Sequence, residues 1–245
     1  MQVKLIRHTP HPDRTVAAAA RLCYSAAGVE DLLSMDDTEV RRMINLLRER
    51  GHESPFEHAY FTFVVEGISR ACSHQLVRHR LASYSQQSQR WVRGDAGEHV
   101  MPPSVARNPE AARLFSEFLG RAGEVYRVLT TMGIPKEDAR YVLPNAVVTR
   151  LAVTMNAREL LHVFRVRCCQ RAQWEIRALA YLMLRECRRV APLLFEKAGP
   201  PCQAEGFCPE KWAECPRYPR VSLAASPGAN PSPPSPASRG GGFSS

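Results

Sequence analysis

The chain has 245 residues, 44 % of them apolar and 23 % charged, with a formal net charge of +9. This length and composition are typical of a folded globular protein with a sizeable core. Its apolar runs are too short for a membrane span, which needs about 20 residues, and the first residues lack the apolar stretch of a signal peptide. We therefore expect a cytoplasmic protein with no membrane segment, whose eight cysteines are reduced thiols.

Three strands are predicted in chain order, at residues 3–6, 59–66 and 147–155, because these runs are rich in apolar and β-branched residues. Periodicity and capping residues predict helices at residues 15–26, 39–50, 68–80, 108–133, 135–143, 157–167 and 172–197. Gly67 is expected to end the second strand, and residues 83–92 to form a loop or an extended segment. Strands interleaved with long helices predict one α+β domain with a central mixed or antiparallel sheet packed by those helices. Residues 221–245 are mostly Pro, Ser, Gly and Ala, so they are expected to form a disordered tail.

The positive charge is concentrated in one part of the chain. Between residues 67 and 94 there are five arginines and no acid. Such a cluster suits nucleic acid or phosphate-bearing small molecules. Because the planar fork of arginine matches phosphate oxygens in pairs, the composition favours a shaped anion site. No glycine-rich phosphate loop occurs in the sequence, so side chains would have to hold any nucleotide.

The densest group of polar residues is the run RHRLASYSQQSQR, which begins with Arg78, His79 and Arg80 and contains Ser88. Guanidinium and hydroxyl donors are abundant there and acceptors are few, as the binding of two phosphorylated ligands would require. A basic helix end that runs into a polar loop is the alternative. Ser88 with His79 could suggest a nucleophile and its base, but no acid lies near in the sequence to orient the histidine. A contact to the phosphate or the base is therefore the role expected for Ser88.

Two further clusters of possible metal ligands are weak. The segment GHESPFEH at residues 51–58 lacks the HExxH spacing, and Pro55 disfavours a helical ligand pair, so no metal is predicted. The cysteines near the end of the chain lack a CxxC pair. A zinc site, a redox disulfide and free thiols stay open for Cys187, Cys202, Cys208 and Cys215. Cys23, Cys72, Cys168 and Cys169 are expected to be small buried residues.

The run RHR, seven residues and then serine resembles the signature of flavin-dependent thymidylate synthases. Four more segments stand in the order and spacing of that family, at residues 51–58, 139–144, 156–162 and 166–177. The resemblance covers residues 1–199, which it identifies as one family domain. It leaves residues 200–220 as a cysteine-containing extension and residues 221–245 as the tail.

The resemblance implies an enzyme that methylates dUMP to dTMP with FAD, 5,10-methylenetetrahydrofolate as the carbon donor and NADPH as the reductant. It implies FAD contacts from His52, Ser54, Arg78, His79, Arg80, Gln86, Asn156, Ala157, Arg158 and His162. It implies dUMP contacts from Gln75, Arg78, Gln86, Gln87, Ser88, Gln89, Arg90, Arg140 and Arg167. Without the resemblance, Asn156 would be interpreted as a helix cap and Arg140 as a surface residue. The chain departs from many members at Ser85-Gln86, where they have Asn-Glu, and at His162, where asparagine is common.

Arg167 is the residue to which the resemblance assigns catalysis. Addition of a carbon at C5 of uracil develops negative charge on the ring, which a guanidinium can stabilise without losing its own proton. The family also implies a homotetramer whose sites lie at subunit interfaces. One alternative is a nucleic-acid-binding module, but only Tyr84 and Trp91 could stack near the arginines, so no nucleic acid polymer is expected as a partner. The other alternative is a flavoprotein that acts on a different nucleotide.

Overall fold

The computed structural model describes residues 1–26, 28–92, 98–212 and 214–217. Four antiparallel strands form one sheet in the order β1-β2-β4-β3. Their bounds are Gln2–His8 for β1, Tyr60–Ser69 for β2, Ala82–Gln86 for β3 and Val148–Asn156 for β4. This confirms the α+β prediction and resolves the sheet as antiparallel. The segment predicted to be a loop or extended contributes the edge strand β3.

Helices surround the sheet. The α-helices α1 to α10 are Pro12–Leu22, Val29–Leu33, Asp37–Glu49, Arg70–Leu76, Pro103–Ala106, Pro109–Thr131, Lys136–Ala139, Ala157–Arg167, Trp174–Val190 and Pro201–Ala204, and two 3₁₀-helices are Ser54–His58 and Arg140–Val142. The predicted helix 68–80 is too long, because α4 ends before the RHR motif. The last long helix was also predicted too long, since α9 stops at Val190, two residues before Pro192. The short helices α2, α5 and α10 were not predicted.

The core lies on one face of the sheet. Alternate residues of β4 are buried, as expected for a strand with one covered face. The aromatic ring of Phe195 packs edge-to-face on Phe61 of β2 at 5.3 Å and on Phe164 of α8 at 5.8 Å. Side chains from α1, α3, α4, α8 and α9 belong to the same buried cluster. Long helices therefore fix both central strands from one side.

The prediction that Gly67 ends the second strand is wrong, because β2 continues through it as a bulge. The pairing register with β4 shifts between Glu66 and Ile68, and Gly67 has φ +70°. A Cβ atom there would lie 3.2 Å from the backbone nitrogen of Met1. Glycine is needed for both reasons. The strand therefore runs to Ser69, whose hydroxyl accepts the amide hydrogen of Cys72 and caps α4 directly.

A buried carboxylate ties this junction to α9. Glu175, in the first turn of α9, is 2 % exposed. Its two oxygens accept hydrogen bonds from the backbone nitrogen and the hydroxyl of Ser69, at 2.7 and 2.6 Å. The cap of α4 and the start of α9 are thus held by a single acid.

The cysteine-containing extension packs on the domain where the structure describes it. Arg165 of α8 forms an ion pair with Glu205, and Arg171 pairs with Glu210 at 3.1 Å. Arg217 donates to the hydroxyl of Tyr181 on α9 at 3.0 Å. The predicted tail 221–245 lies outside the described residues. None of the described helices has the length and apolarity needed to cross a membrane.

Candidate functional site

The RHR motif forms a tight turn between α4 and β3. Arg78 and Arg80 are exposed, whereas His79 is 6 % exposed and points into the protein. The hydroxyl of Tyr84 lies 2.8 Å from the carbonyl oxygens of both Leu76 and His79 and can donate to either. Burial raises the pKa of the Tyr84 phenol, so this donor keeps its proton. A side chain on the following strand thereby holds the turn.

The imidazole of His79 joins two side chains of α8. Its Nε2 accepts a hydrogen bond from Nε of Arg167 at 2.9 Å, and its Nδ1 lies 3.3 Å from a carboxylate oxygen of Glu159. Burial, then the charge of Arg167 and the nearby His162, lower the pKa of His79 to about 4. A neutral imidazole that accepts at Nε2 carries its proton on Nδ1. His79 therefore accepts from Arg167 and turns its Nδ1–H towards the carboxylate of Glu159, 3.3 Å away.

The expectation that no acid orients His79 is wrong, because the fold brings Glu159 to it from 80 residues further along the chain. Ser88 is nevertheless not its partner. The hydroxyl of Ser88 accepts the backbone N–H of Arg90 at 3.1 Å, and among the described residues it makes no hydrogen bond to His79. The geometry of these described residues thus gives no nucleophile–base pair between Ser88 and His79.

A first cleft, of ≈ 590 Å³, opens beside the polar run. Its walls include Arg70, Gln87, Ser88, Gln89, Thr149 and Arg150. Burial lowers the pKa of Arg70, and the positive charge of Arg140 lowers it further, so the two guanidinium groups are neighbours. Over the described ranges, neither of these two arginines has a carboxylate partner. Glu66 and Glu98 also line the cleft, and Glu66 lies 3.8 Å from Arg150. The side of the cleft at Arg70, with its amide and hydroxyl donors, is therefore the part suited to an anion.

Other residues predicted for substrate are partly engaged within the protein. Arg90 forms a 2.6 Å ion pair with Glu137 of α7, whose carbonyl oxygen accepts from Nε of Arg140. The amide of Gln86 donates to Ser73 and Thr149 at 3.0 and 3.1 Å, which leaves its oxygen for a ligand. The carbonyl oxygen of Gln75 accepts from Nη2 of Arg167 at 3.4 Å.

A second cleft, of ≈ 540 Å³, contains part of the predicted cofactor set. It is lined by Leu81, Arg158, Glu159 and His162, among others. Arg158 is paired with Glu53 and Glu57 at 3.2 and 2.5 Å. The amide hydrogen of buried Ala157 goes to the carbonyl oxygen of Ala59. The ring of His162 lies edge-on to that of His79, with the centroids 5.7 Å apart.

The remaining cofactor candidates lie at the ends of helical segments. Asn156 accepts the backbone N–H of Glu159 at 2.9 Å, so its interpretation as a helix cap is confirmed. Ser54 is exposed at the start of a 3₁₀-helix. His52 is exposed, with its ring stacked on that of Tyr24 and Nδ1 2.9 Å from the tyrosine hydroxyl.

A third cavity, of ≈ 250 Å³, lies beside Arg167 and is lined by Cys169, Cys202 and Cys208. Cys187, Cys202, Cys208 and Cys215 are free thiols in the structure, and among the described residues no group of three or more His, Cys, Asp or Glu side chains is placed to hold a metal ion. Burial raises the pKa values of Cys72 and Cys168 to about 12, so these two are inert thiols, as predicted. The prediction of burial is wrong for Cys23, which is exposed, and Cys169 is only half-buried.

Comparison with known proteins identifies the family. Residues 4–193 match the family model described as thymidylate synthase complementing protein. A flavin-dependent thymidylate synthase of Geobacter sulfurreducens is 51 % identical over 218 residues, which cover 88 % of this chain and 94 % of that protein. The chain belongs to the flavin-dependent thymidylate synthase family. Five short segments were sufficient to identify it from the sequence.

Further relatives support the assignment of this chain to the flavin-dependent thymidylate synthases. The enzyme of Clostridium tetani is 45 % identical over 232 residues. The matched region covers 88 % of this chain and 93 % of that enzyme. The UMP/dUMP methylase PolB from Streptomyces cacaoi, solved with 5-Br dUMP, superposes with a TM-score of 0.70 at 27 % identity. That match covers 80 % of this chain and 93 % of PolB. The chain is therefore an enzyme of this family.

Two residues of the candidate site, Glu159 and Arg70, were not predicted from the sequence. Glu159 stands three residues after the helix cap Asn156, where an acid is usually a capping residue, and nothing local indicates its contact with His79. Arg70 was counted in the arginine cluster but was given no role. The feature that could have indicated a role for Arg70 is its position, because it directly follows a buried strand and is the first residue of a helix.

The free energy of unfolding should fall at acidic pH because of His79. Its pKa is about 4 when folded and about 6.5 when unfolded, so the unfolded state takes up the proton first as the pH falls. The contribution of neutral His79 to the free energy of unfolding is complete above pH ~6.5 and is lost by pH ~4, which is a change of about 3 kcal/mol. Urea unfolding of wild type and His79→Gln over this range will measure it, with exposed His74→Gln as the control. Equal pH slopes for wild type and His79→Gln would contradict the prediction.

Proposed function

We propose that this family member converts dUMP to dTMP, with FAD as the cofactor, 5,10-methylenetetrahydrofolate as the carbon donor and NADPH as the reductant. Family membership supports a flavin-dependent thymidylate synthase, and the bound 5-Br dUMP of PolB supports a uracil nucleotide as the substrate. The observation that carries the proposal is Arg167, whose guanidinium is oriented by His79 and the carbonyl oxygen of Gln75.

The first cleft suits the phosphate of dUMP. Arg70 and Arg140 lie close enough to repel each other, and a bound anion would offset that repulsion. Gln87, Ser88 and Gln89 on the cleft wall can donate hydrogen bonds to phosphate or sugar oxygens. Binding of the nucleotide should therefore depend on ionic strength.

Arg167 is proposed to stabilise the charge that develops on the uracil ring. Five N–H groups are available on a guanidinium. Nε–H donates to His79 and one Nη2–H to Gln75, so the remaining donors can face the carbonyl oxygens of the base. Because arginine does not lose its proton, it acts here as an electrostatic stabiliser and not as a general acid.

The residues of the second cleft and the RHR turn fit a flavin dinucleotide. Arg78 and Arg80 are exposed and, within the described residues, have no carboxylate partner, so they can pair with a diphosphate. Leu81 beside them is 71 % exposed and offers an apolar surface to a ring. When bound, FAD supplies the hydride chemistry that completes the methyl group.

We propose a homotetramer whose sites lie at subunit interfaces. The residues assigned to substrate and cofactor line separate clefts of one chain. Large apolar side chains are exposed next to the arginines of the site: Leu81, Trp91 and Tyr141 are 71, 77 and 84 % exposed. Such patches mark association surfaces. Light scattering should give four times the chain mass of 27.5 kDa, and an active monomer would contradict the proposal.

The function is tested with purified protein, FAD, NADPH, methylenetetrahydrofolate and dUMP labelled with tritium at C5. Tritium release and dTMP formation are expected, and both should stop when any one of these reactants is left out. UMP in place of dUMP tests the choice of nucleotide, and single-stranded RNA tests the nucleic-acid alternative. A flavin spectrum that NADPH bleaches, without tritium release from dUMP, would refute the proposed reaction and favour a flavoprotein of another specificity.

A further inference from the structure

One helix carries two side chains that approach the same imidazole at the proposed reaction centre. Glu159 lies in the first turn of α8 and Arg167 is its last residue. Eight residues span about 12 Å along a helix axis, so the two side chains cannot contact each other directly. His79, from the RHR turn, bridges them through its two ring nitrogens.

The position of the proton on His79 decides whether this bridge can exist. With the proton on Nδ1, His79 donates to Glu159 and offers Nε2 as an acceptor to Nε–H of Arg167. With the proton on Nε2, two donors would face each other across 2.9 Å. An acceptor at Nδ1 therefore selects the one neutral tautomer that can hold Arg167.

Glu159 is an unusual choice for this place if it serves only to support the fold. Its side chain is 8 % exposed, and among the described residues no arginine or lysine forms an ion pair with it. Burial raises its pKa, which shows that the charged form is held at a cost. The groups that face His79 are Glu159, Arg167, His162 and the hydroxyl of Tyr84. Of these, Glu159 places an oxygen 3.3 Å from Nδ1, whereas the Tyr84 hydroxyl bonds the backbone oxygen of His79.

We propose that Glu159 is a positioning residue that fixes the guanidinium of Arg167 through the tautomer of His79. The proposal rests on the role proposed for Arg167 in dTMP formation. Glu159 also lines the second cleft, but its proposed effect on Arg167 passes through the imidazole alone. The same pattern, a carboxylate that orients an imidazole, recurs at metal-binding histidines, where its loss lowers metal affinity or activity by about 10- to 100-fold.

Two substitutions separate the hydrogen bond from the charge. Glu159→Gln keeps an oxygen that can accept from Nδ1–H, and Glu159→Leu removes the acceptor and keeps the volume. We expect kcat of Glu159→Gln to stay within about 3-fold of wild type, and kcat of Glu159→Leu to fall about 30-fold with KM for dUMP within about 3-fold. Glu186→Leu on α9 replaces a half-buried acid that pairs with Arg189; it is the control and should keep wild-type kcat.

The tautomer itself is read by ¹⁵N NMR of the histidine ring nitrogens in the FAD-loaded protein. Wild type and Glu159→Gln should show His79 protonated at Nδ1, and Glu159→Leu should shift it towards Nε2. Wild-type His79 protonated at Nε2 would overturn the proposal, even if the leucine variant fails to fold. Wild-type kcat in Glu159→Leu, or equal losses in both variants, would also overturn it.

The two readouts separate this proposal from the proposed function. The ring NMR requires no turnover. A protein that forms no dTMP but has His79 protonated at Nδ1, with the shift in Glu159→Leu, would refute the reaction and leave the arrangement of the three side chains supported. A protein that forms dTMP at an unchanged rate in Glu159→Leu would keep the reaction and refute the role of Glu159.

Discussion

Replacement of Arg167 by alanine is expected to lower kcat for dTMP formation by about 1000-fold, or about 4 kcal/mol of barrier. The physical reason is that the half-buried guanidinium, oriented by His79, is proposed to lie where negative charge develops on the base. The charge appears in the transition state and not in bound dUMP, so the loss should be in kcat more than in KM. Single-turnover assays with FAD-loaded enzyme will measure it.

The controls for this prediction distinguish lost catalysis from lost structure. Arg189→Ala, which removes an exposed arginine of α9, should keep wild-type kcat. Flavin absorbance of Arg167→Ala should match that of wild type, because the cofactor is assigned to other residues. If kcat of Arg167→Ala stays within about 10-fold of wild type, less than about 1.4 kcal/mol was lost and Arg167 is not the catalytic group.

Replacement of Glu175 by alanine is expected to lower the free energy of unfolding by about 4 kcal/mol, because two short hydrogen bonds to a buried carboxylate are lost and Ser69 keeps unpaired donors. The buried hydroxyl of Ser69 also caps α4, so the damage should extend to the position of the RHR turn that follows. Urea denaturation monitored by circular dichroism will measure the change.

The control for Glu175→Ala is the same substitution at an exposed glutamate. Glu117 of α6 forms an exposed i,i+4 ion pair with Arg113, and Glu117→Ala should cost about 0.5 kcal/mol or less. A loss below about 1 kcal/mol for Glu175→Ala would mean that water or another acceptor satisfies the two donors of Ser69 equally well. In that case the carboxylate would not be the link between α4 and α9.

Local patterns predicted those parts of the fold that local interactions determine. The alternation of β4 and the capping residue Asn108 of α6 are properties of neighbouring residues, and both elements were predicted close to their bounds. Gly67 was misinterpreted because a bulge and a strand end call for the same residue, and only the pairing of β2 with β4 distinguishes them. The length of α4 was overestimated because the polar residues after Leu76 continue a helical pattern but turn away to reach β3.

In the candidate site, too, local motifs could be predicted from the sequence, whereas contacts between distant segments could not. The motif indicated that Arg78 to Arg90 and Arg167 belong to one site. It could not indicate that Arg167 donates to His79, 88 residues away, or that Glu159 completes the contact. These contacts depend on how α8 lies against the RHR turn. The pairing of Arg90 with Glu137 likewise required the tertiary fold, since the arginine cluster contains no acid of its own.

Both helices that carry the site begin without a connecting loop. β2 ends at Ser69 and α4 begins at Arg70, and β4 ends at Asn156 and α8 begins at Ala157. A helix turns by about 100° per residue. Because each helix directly continues a strand, the position of the strand in the sheet fixes the direction in which each helical side chain points. A single residue inserted at either junction would rotate Arg167 or the RHR turn by more than a quarter of a turn. Single-residue insertions and deletions should therefore be tolerated in the loops away from these two junctions and not at the junctions themselves.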